Sequence, residues 1–156
     1  MDTRRSPGRR IAAGSAAGVA AAIAYAIVQE IDLRLVGNNA DDLLLIGGLV
    51  TSDRREARTI GLAGHLAAGA ALGTFYVTLG RDRLPGPAWL RGVIFATVEN
   101  TALYPALLLE GHHPAVRSGK LDRYWSAISF AQSVPRHLVF GVVLGGLADR
   151  LLPKHC

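Results

Sequence analysis

His65-Leu66-Ala67-Ala68-Gly69-Ala70-Ala71-Leu72-Gly73 returns 72 residues later as His137-Leu138-Val139-Phe140-Gly141-Val142-Val143-Leu144-Gly145, the pattern H-L-x-x-G-x-x-L-G in both places. A phrase of this length repeated at one spacing marks a duplicated unit. Each copy opens an apolar stretch too long and too poor in polar residues for a small soluble domain. The unit therefore reads as a pair of membrane helices with a histidine at matching depth.

Outward from these two phrases, four apolar stretches emerge at 11–29, 59–80, 89–109 and 133–152. Each is close to the ~20 residues that a helix needs to cross the hydrocarbon core. Composition agrees: 50% of the chain is hydrophobic and 19% charged, below the roughly 25% charged residues of an ordinary soluble domain. A soluble four-helix bundle would need a charged face on every helix, and the first two stretches have none. The expected fold is all-α, a polytopic membrane protein with four transmembrane helices as two tandem helical hairpins. It forms a single membrane domain over 1–156, with repeat halves of about 11–80 and 89–152. Two spans per copy is an even number, so the halves run parallel about an axis along the membrane normal.

Three G-x-x-x-G pairs fall inside the spans, Gly14/Gly18, Gly69/Gly73 and Gly141/Gly145. Each puts two hydrogens in place of side chains on one helix face and lets a neighbouring backbone approach. The N-terminal arginines followed by Ala24-Tyr25-Ala26 resemble a secretory leader with a cleavage site. Removing that stretch would break the two-hairpin pattern, so a retained first helix is expected.

Nine of the 17 Lys and Arg lie in the N-terminal tail (Arg4, Arg5, Arg9, Arg10), the short turn Arg81–Arg91 and the C-terminus (Arg150, Lys154), against eight elsewhere. The four arginines beside the first helix and the shortness of that turn place both termini in the cytoplasm. The net charge of +5 gathers at the ends of apolar stretches without forming a basic face, which argues against nucleic acid. Cys156 is the single cysteine, so no intramolecular disulfide forms.

The two outer connections, 30–58 and 110–132, are long. Asp41 and Asp42 are placed to cap a short helix, Asp53-Arg54-Arg55-Glu56 reads as a solvated charge run, and Tyr124-Trp125 suits a headgroup boundary. In this orientation the outer half of the bundle gathers Gln29, Glu30 and Asp32, then His65, then Glu99, Asn100, Tyr104 and Glu110, then Arg136 and His137. Glu99 dominates, because an unpaired carboxylate in hydrocarbon costs several kcal/mol. Its expected partner is Arg136 or one of the histidines. As acid–base candidates the chain offers Glu99, His65 and His137, and as ligand-binding candidates Glu30, Asn100, Tyr104, Glu110 and Arg136.

Two histidines at equal depth also invite haem ligation, and Glu110-Gly111-His112-His113 invites a metal. Neither has the supporting spacing: there is no C-x-x-C-H, and a di-iron bundle needs Glu-x-x-His on two helices. No metal site is assigned and no cofactor is named. Nucleophile-elbow, P-loop, H-E-x-x-H and dinucleotide signatures are absent from the sequence.

The stretch Gly64-His65-Leu66 through Gly73 with Tyr76, Arg91-Gly92, Pro105, and Arg136-His137-Leu138 through Gly145 resembles small bacterial four-helix membrane proteins of uncharacterised function. The resemblance spans roughly 14–152 and implies an inner-membrane location and a two-hairpin fold, but no catalytic residue. The function expected is binding of a small amphipathic ligand or lipid, or assistance to assembly of a membrane complex, through an outer-leaflet polar pocket. The alternatives are an intramembrane acid–base enzyme of isomerase or cyclase type acting on a lipophilic substrate, and a proton-linked transporter. The expected partner is a membrane lipid or lipophilic small molecule; a homo-oligomer is compatible with the chain.

Overall fold

The computed structural model describes residues 6–152; Arg4, Arg5, Lys154 and Cys156 lie outside that range. Ser6 caps α1 (Pro7–Leu35), its side chain accepting from the Arg9 amide, with Pro7 pre-set for the first turn. At 29 residues α1 outruns the expected span at both ends, because nothing at Arg9–Arg10 or Glu30–Leu35 breaks a helix. A short α2 (Asp42–Gly47) follows, capped by Asp41. α3 (Arg54–Phe75) starts at the Asp53 cap, which accepts from the Glu56 amide at 2.8 Å. The charge run expected in a solvated connection is therefore the first turn of a helix, with Glu56 favourably placed near its N-terminus.

α3 ends in one wide turn, Tyr76–Gly80, closed by the Arg81 amide donating to Tyr76 O at 2.7 Å. α4 (Ala88–Leu103) stops short of residue 109, and the chain tightens into a 3-10 segment, Tyr104–His112. Pro105 accounts for the change, since it has no amide to continue the ladder and its ring crowds the preceding turn. After α5 (Pro114–Arg117), the Ser126 cap starts α6 (Ala127–Leu151) six residues before the expected 133.

The described residues are all-helical without strands, and four helices are long and apolar enough to cross a membrane. The protein is a multi-pass membrane protein of helical-bundle class. α1 and α6 pack together at the centre, α3 lies on α1, α4 lies on α6, and α2 rests on α3. Large apolar side chains such as Ile23, Ile27, Ile31, Val98 and Val142 face outward, as lipid-facing positions should.

Backbone contact at glycine holds the long helices together. A Cβ on Gly18 would stand 1.9 Å from Gly69 O, and one on Gly92 would stand 2.0 Å from Gly141 O. One turn away the pattern recurs: a Cβ on Gly73 would meet Gly14 O, and one on Gly145 would meet Ala88 O, each at 2.1 Å. Both hairpins thus close through the same positions of H-L-x-x-G-x-x-L-G. Lipid tails are as apolar as leucine, so this close packing, rather than expulsion of water, supplies the attraction.

Candidate functional site

The end of the bundle remote from both termini holds the polar residues, and Arg136 organises it. Only 1% of its side chain is exposed. Its Nε and Nη2 donate to the two oxygens of Asp32 at 2.5 and 2.6 Å, a bidentate pair, while Nη1 donates to Asp42 Oδ2 and Ala40 O, each at 2.8 Å. Arg136 therefore ties α6 to both α1 and the start of α2. This geometry excludes the Glu99–Arg136 pairing, one of the two arrangements open from sequence. The carboxylates that reach the guanidinium are Asp32 and Asp42.

Glu99 takes the other arrangement. Its Oε2 lies 3.3 Å from His137 Nε2, with both side chains 18% exposed. His137 Nδ1 donates to Ser133 O, one turn earlier in α6, at 2.8 Å. A carbonyl only accepts, so this bond fixes a proton on Nδ1 and turns Nε2 toward the Glu99 carboxyl.

In the other hairpin, His65 Nε2 donates to Ala22 O of α1 at 3.2 Å, which leaves Nδ1 of the neutral ring as an acceptor. Tyr25, also on α1, packs against both imidazoles, with ring centroids 4.9 Å from His65 and 5.1 Å from His137. Its hydroxyl donates to Asp42 Oδ2 at 2.7 Å.

These groups border one cavity of about 290 Å3. Tyr25, Asp42, His65, Glu99, Asn100, Tyr104 and His137 supply its polar lining, and Leu45, Ile46, Leu72, Leu103, Leu107 and Phe140 are among its apolar walls. It forms because α3 and α4 are held on different central helices and scarcely touch each other.

Of the candidates drawn from sequence, the cavity gathers His65, Glu99, Asn100, Tyr104 and His137. Arg136 stands behind Asp42. Glu30 is elsewhere, in ion pairs with Arg58 at 2.6 Å and Arg34 at 3.0 Å. Glu110 is also outside, accepting from the Tyr124 and Trp125 amides at 2.5 and 3.1 Å and so folding the second connection. His113, beside it, uses both ring nitrogens, one donating to Leu45 O at 2.7 Å and the other accepting from the Ala115 amide at 3.2 Å. The Glu110–His113 run is committed to loop structure.

Tyr25 and Asp42 were not among the candidates. A lone tyrosine in an alanine-rich helix was the available signal for the first. For the second it was a pair of aspartates where one cap suffices. Asp41 is that cap, accepting from the Leu44 amide at 3.3 Å and from Gln29 Nε2 at 3.1 Å, with Oδ2 buried and without a hydrogen bond. Burial holds its carboxyl above the ordinary range, opposed chiefly by Arg58.

A family model matches residues 8–156, nearly the whole chain. The chain belongs to DUF6789, a family of unknown function. No curated protein and no solved structure matches it at a significant level. Family membership thus brings no activity with it.

Proposed function

We propose that this member of the family binds a small amphipathic or lipid-like molecule in the cavity between α3 and α4. The observation that carries the reading is the cavity itself. It joins a polar floor, Glu99 with His137, His65 and Asn100, to leucine walls, and it lies behind the gap that α3 and α4 leave. Ligand pockets generally combine mostly apolar walls with a few convergent polar groups, and ~290 Å3 is at the small end of their range.

The setting we propose is a bacterial inner membrane, with both termini cytoplasmic and the cavity in the outer leaflet. Supporting this orientation, Arg9, Arg10, Arg81, Arg83, Arg91 and Arg150 gather at the terminal end of the bundle.

Native mass spectrometry of the purified protein in a mild detergent tests the binding reading. A discrete small-molecule adduct is expected, and Leu72→Trp, which fills the cavity from α3, should remove it. A wild-type protein carrying only the heterogeneous lipid of its surroundings, unchanged in Leu72→Trp, overturns the reading.

A second reading, proton transfer on a lipophilic substrate by an isomerase-type mechanism, is favoured by the Glu99–His137 contact, which puts a carboxyl and an imidazole, two common acid–base groups, side by side at the cavity. Under it, Glu99→Gln abolishes turnover of the co-purifying molecule while the adduct persists.

A further inference from the structure

The hydrogen bonds around the cavity are spent unevenly. The fixed donors that border it are used inside the protein, save the second N–H of the Asn100 amide. The Tyr25 hydroxyl serves Asp42, His65 Nε2 serves Ala22 O, and His137 Nδ1 serves Ser133 O. The Asn100 amide serves Ser133 Oγ at 3.1 Å, and the Tyr104 hydroxyl serves Tyr124 O at 2.6 Å and Ser126 O at 3.0 Å. What remains, beside that one N–H, is acceptors. Glu99 Oε1, Asn100 Oδ1 and His65 Nδ1 receive no hydrogen bond from any described residue.

Charge points the same way. Asp32 and Asp42 share the single cation Arg136, which leaves one negative charge over before Glu99 is counted. The neighbouring set, Glu30 and Asp41 with Arg34 and Arg58, balances itself. Around the cavity, Asp32, Asp42 and Glu99 thus outnumber the one arginine paired among them. Tyr25, Tyr104 and Phe140 add aromatic residues to the lining, and the faces of such rings attract cations.

We infer that the ligand is a lipophilic amine, bound as its ammonium form. The head donates to Glu99 and Asn100, with His65 as a third acceptor, and the hydrocarbon lies among Leu72, Leu103 and Leu107. An ammonium brings three donors and no acceptor, the complement of what the protein leaves open. A carboxylate or phosphate head would meet acceptors of its own sign. A hydroxyl would satisfy one acceptor without offsetting the charge. This inference rests on the cavity being a binding site, and the test separates the two.

Photoreactive diazirine probes with matched tails of about eight carbons, short enough for a cavity holding roughly ten water-sized groups, would carry an amine, a hydroxyl or a carboxylate. They would be applied to the whole protein in lipid nanodiscs, and the labelled residues mapped by mass spectrometry. The amine probe should label α3 and α4 residues that line the cavity, saturably and in competition with unlabelled octylamine. Its affinity should exceed that of either other probe by about tenfold or more, the scale of one charge-assisted hydrogen bond. Glu99→Gln should erase most of that preference. Saturable cavity labelling in which the alcohol or the carboxylate matches the amine overturns the amine inference and leaves the binding reading standing. Absence of saturable cavity labelling by all three probes overturns both. The ranking in the wild-type protein decides the matter even if Glu99→Gln does not fold.

Discussion

The first hairpin, α1 with α3, and the second, α4 with α6, close through the same glycine contacts yet face their histidines differently. Gly18 meets Gly69 as Gly92 meets Gly141. Above those contacts His65 finds Tyr25, an aromatic ring on the preceding helix, whereas His137 finds Glu99, a carboxylate. The shared part is packing and tolerates no side chain. The unshared part sets what the cavity can hold. Small-residue seams fix backbones, and once fixed they leave the position one or two turns further on open to different chemistry.

The largest effect should come from breaking the seams. Gly18→Leu and Gly92→Leu both drive a side chain into a facing backbone, and we predict that neither accumulates as monodisperse protein on size-exclusion chromatography. Tolerance of one alongside loss of the other would show that the hairpins are not equivalent in packing. Next is the joint between them. Arg136→Met strands two carboxylates, Asp32 and Asp42, and should cost about 3–5 kcal/mol, read as a lowered Tm. Adding Asp32→Asn and Asp42→Asn should restore much of it, because the stranded charges rather than the lost arginine carry the cost. No recovery would place the cost in packing instead.

Smaller effects sharpen the contrast at the histidines. Tyr25→Phe removes a hydrogen bond to Asp42 and should cost about 1 kcal/mol of stability. Glu99→Gln should shift the Tm less and change ligand selectivity more. The reverse order would make Glu99 the structural partner and Tyr25 the selective one.

The smallest effect concerns Asp41. Its raised carboxyl pKa means that the folded protein favours the protonated form. Stability therefore rises as pH falls through the raised value and levels off below the unfolded value of about 3.9. Asp41→Asn keeps a good cap and should flatten this rise with little change near neutrality, while Asp41→Ala should lose about 1 kcal/mol of capping. A pH profile of Tm for the three proteins distinguishes these outcomes.

Much of this architecture is visible in the chain, because membrane thickness sets a length that apolar stretches must match. Helix ends are less visible. α6 begins at the Ser126 cap and α4 gives way at Pro105, local events that an apolar window averages out. In the site, His65, Glu99, Asn100, Tyr104 and His137 could be grouped by depth alone. Depth does not resolve which of several nearby charges pair. Arg136 turns to Asp32 and Asp42 because α1 and α2 approach it, a contact made across 104 and 94 residues of sequence. Glu30 and Glu110 share that depth but are captured by arginines and loop amides within reach.

The gap between α3 and α4 has a consequence for how binding is measured. Under the proposed binding role, a molecule that reached the cavity through it would come from the bilayer, so the concentration that matters would be its mole fraction in lipid. At fixed protein and total ligand, adding empty lipid should dilute the ligand and lower occupancy. Affinity quoted per litre of buffer would vary with every preparation, while affinity quoted per mole of lipid would stay constant.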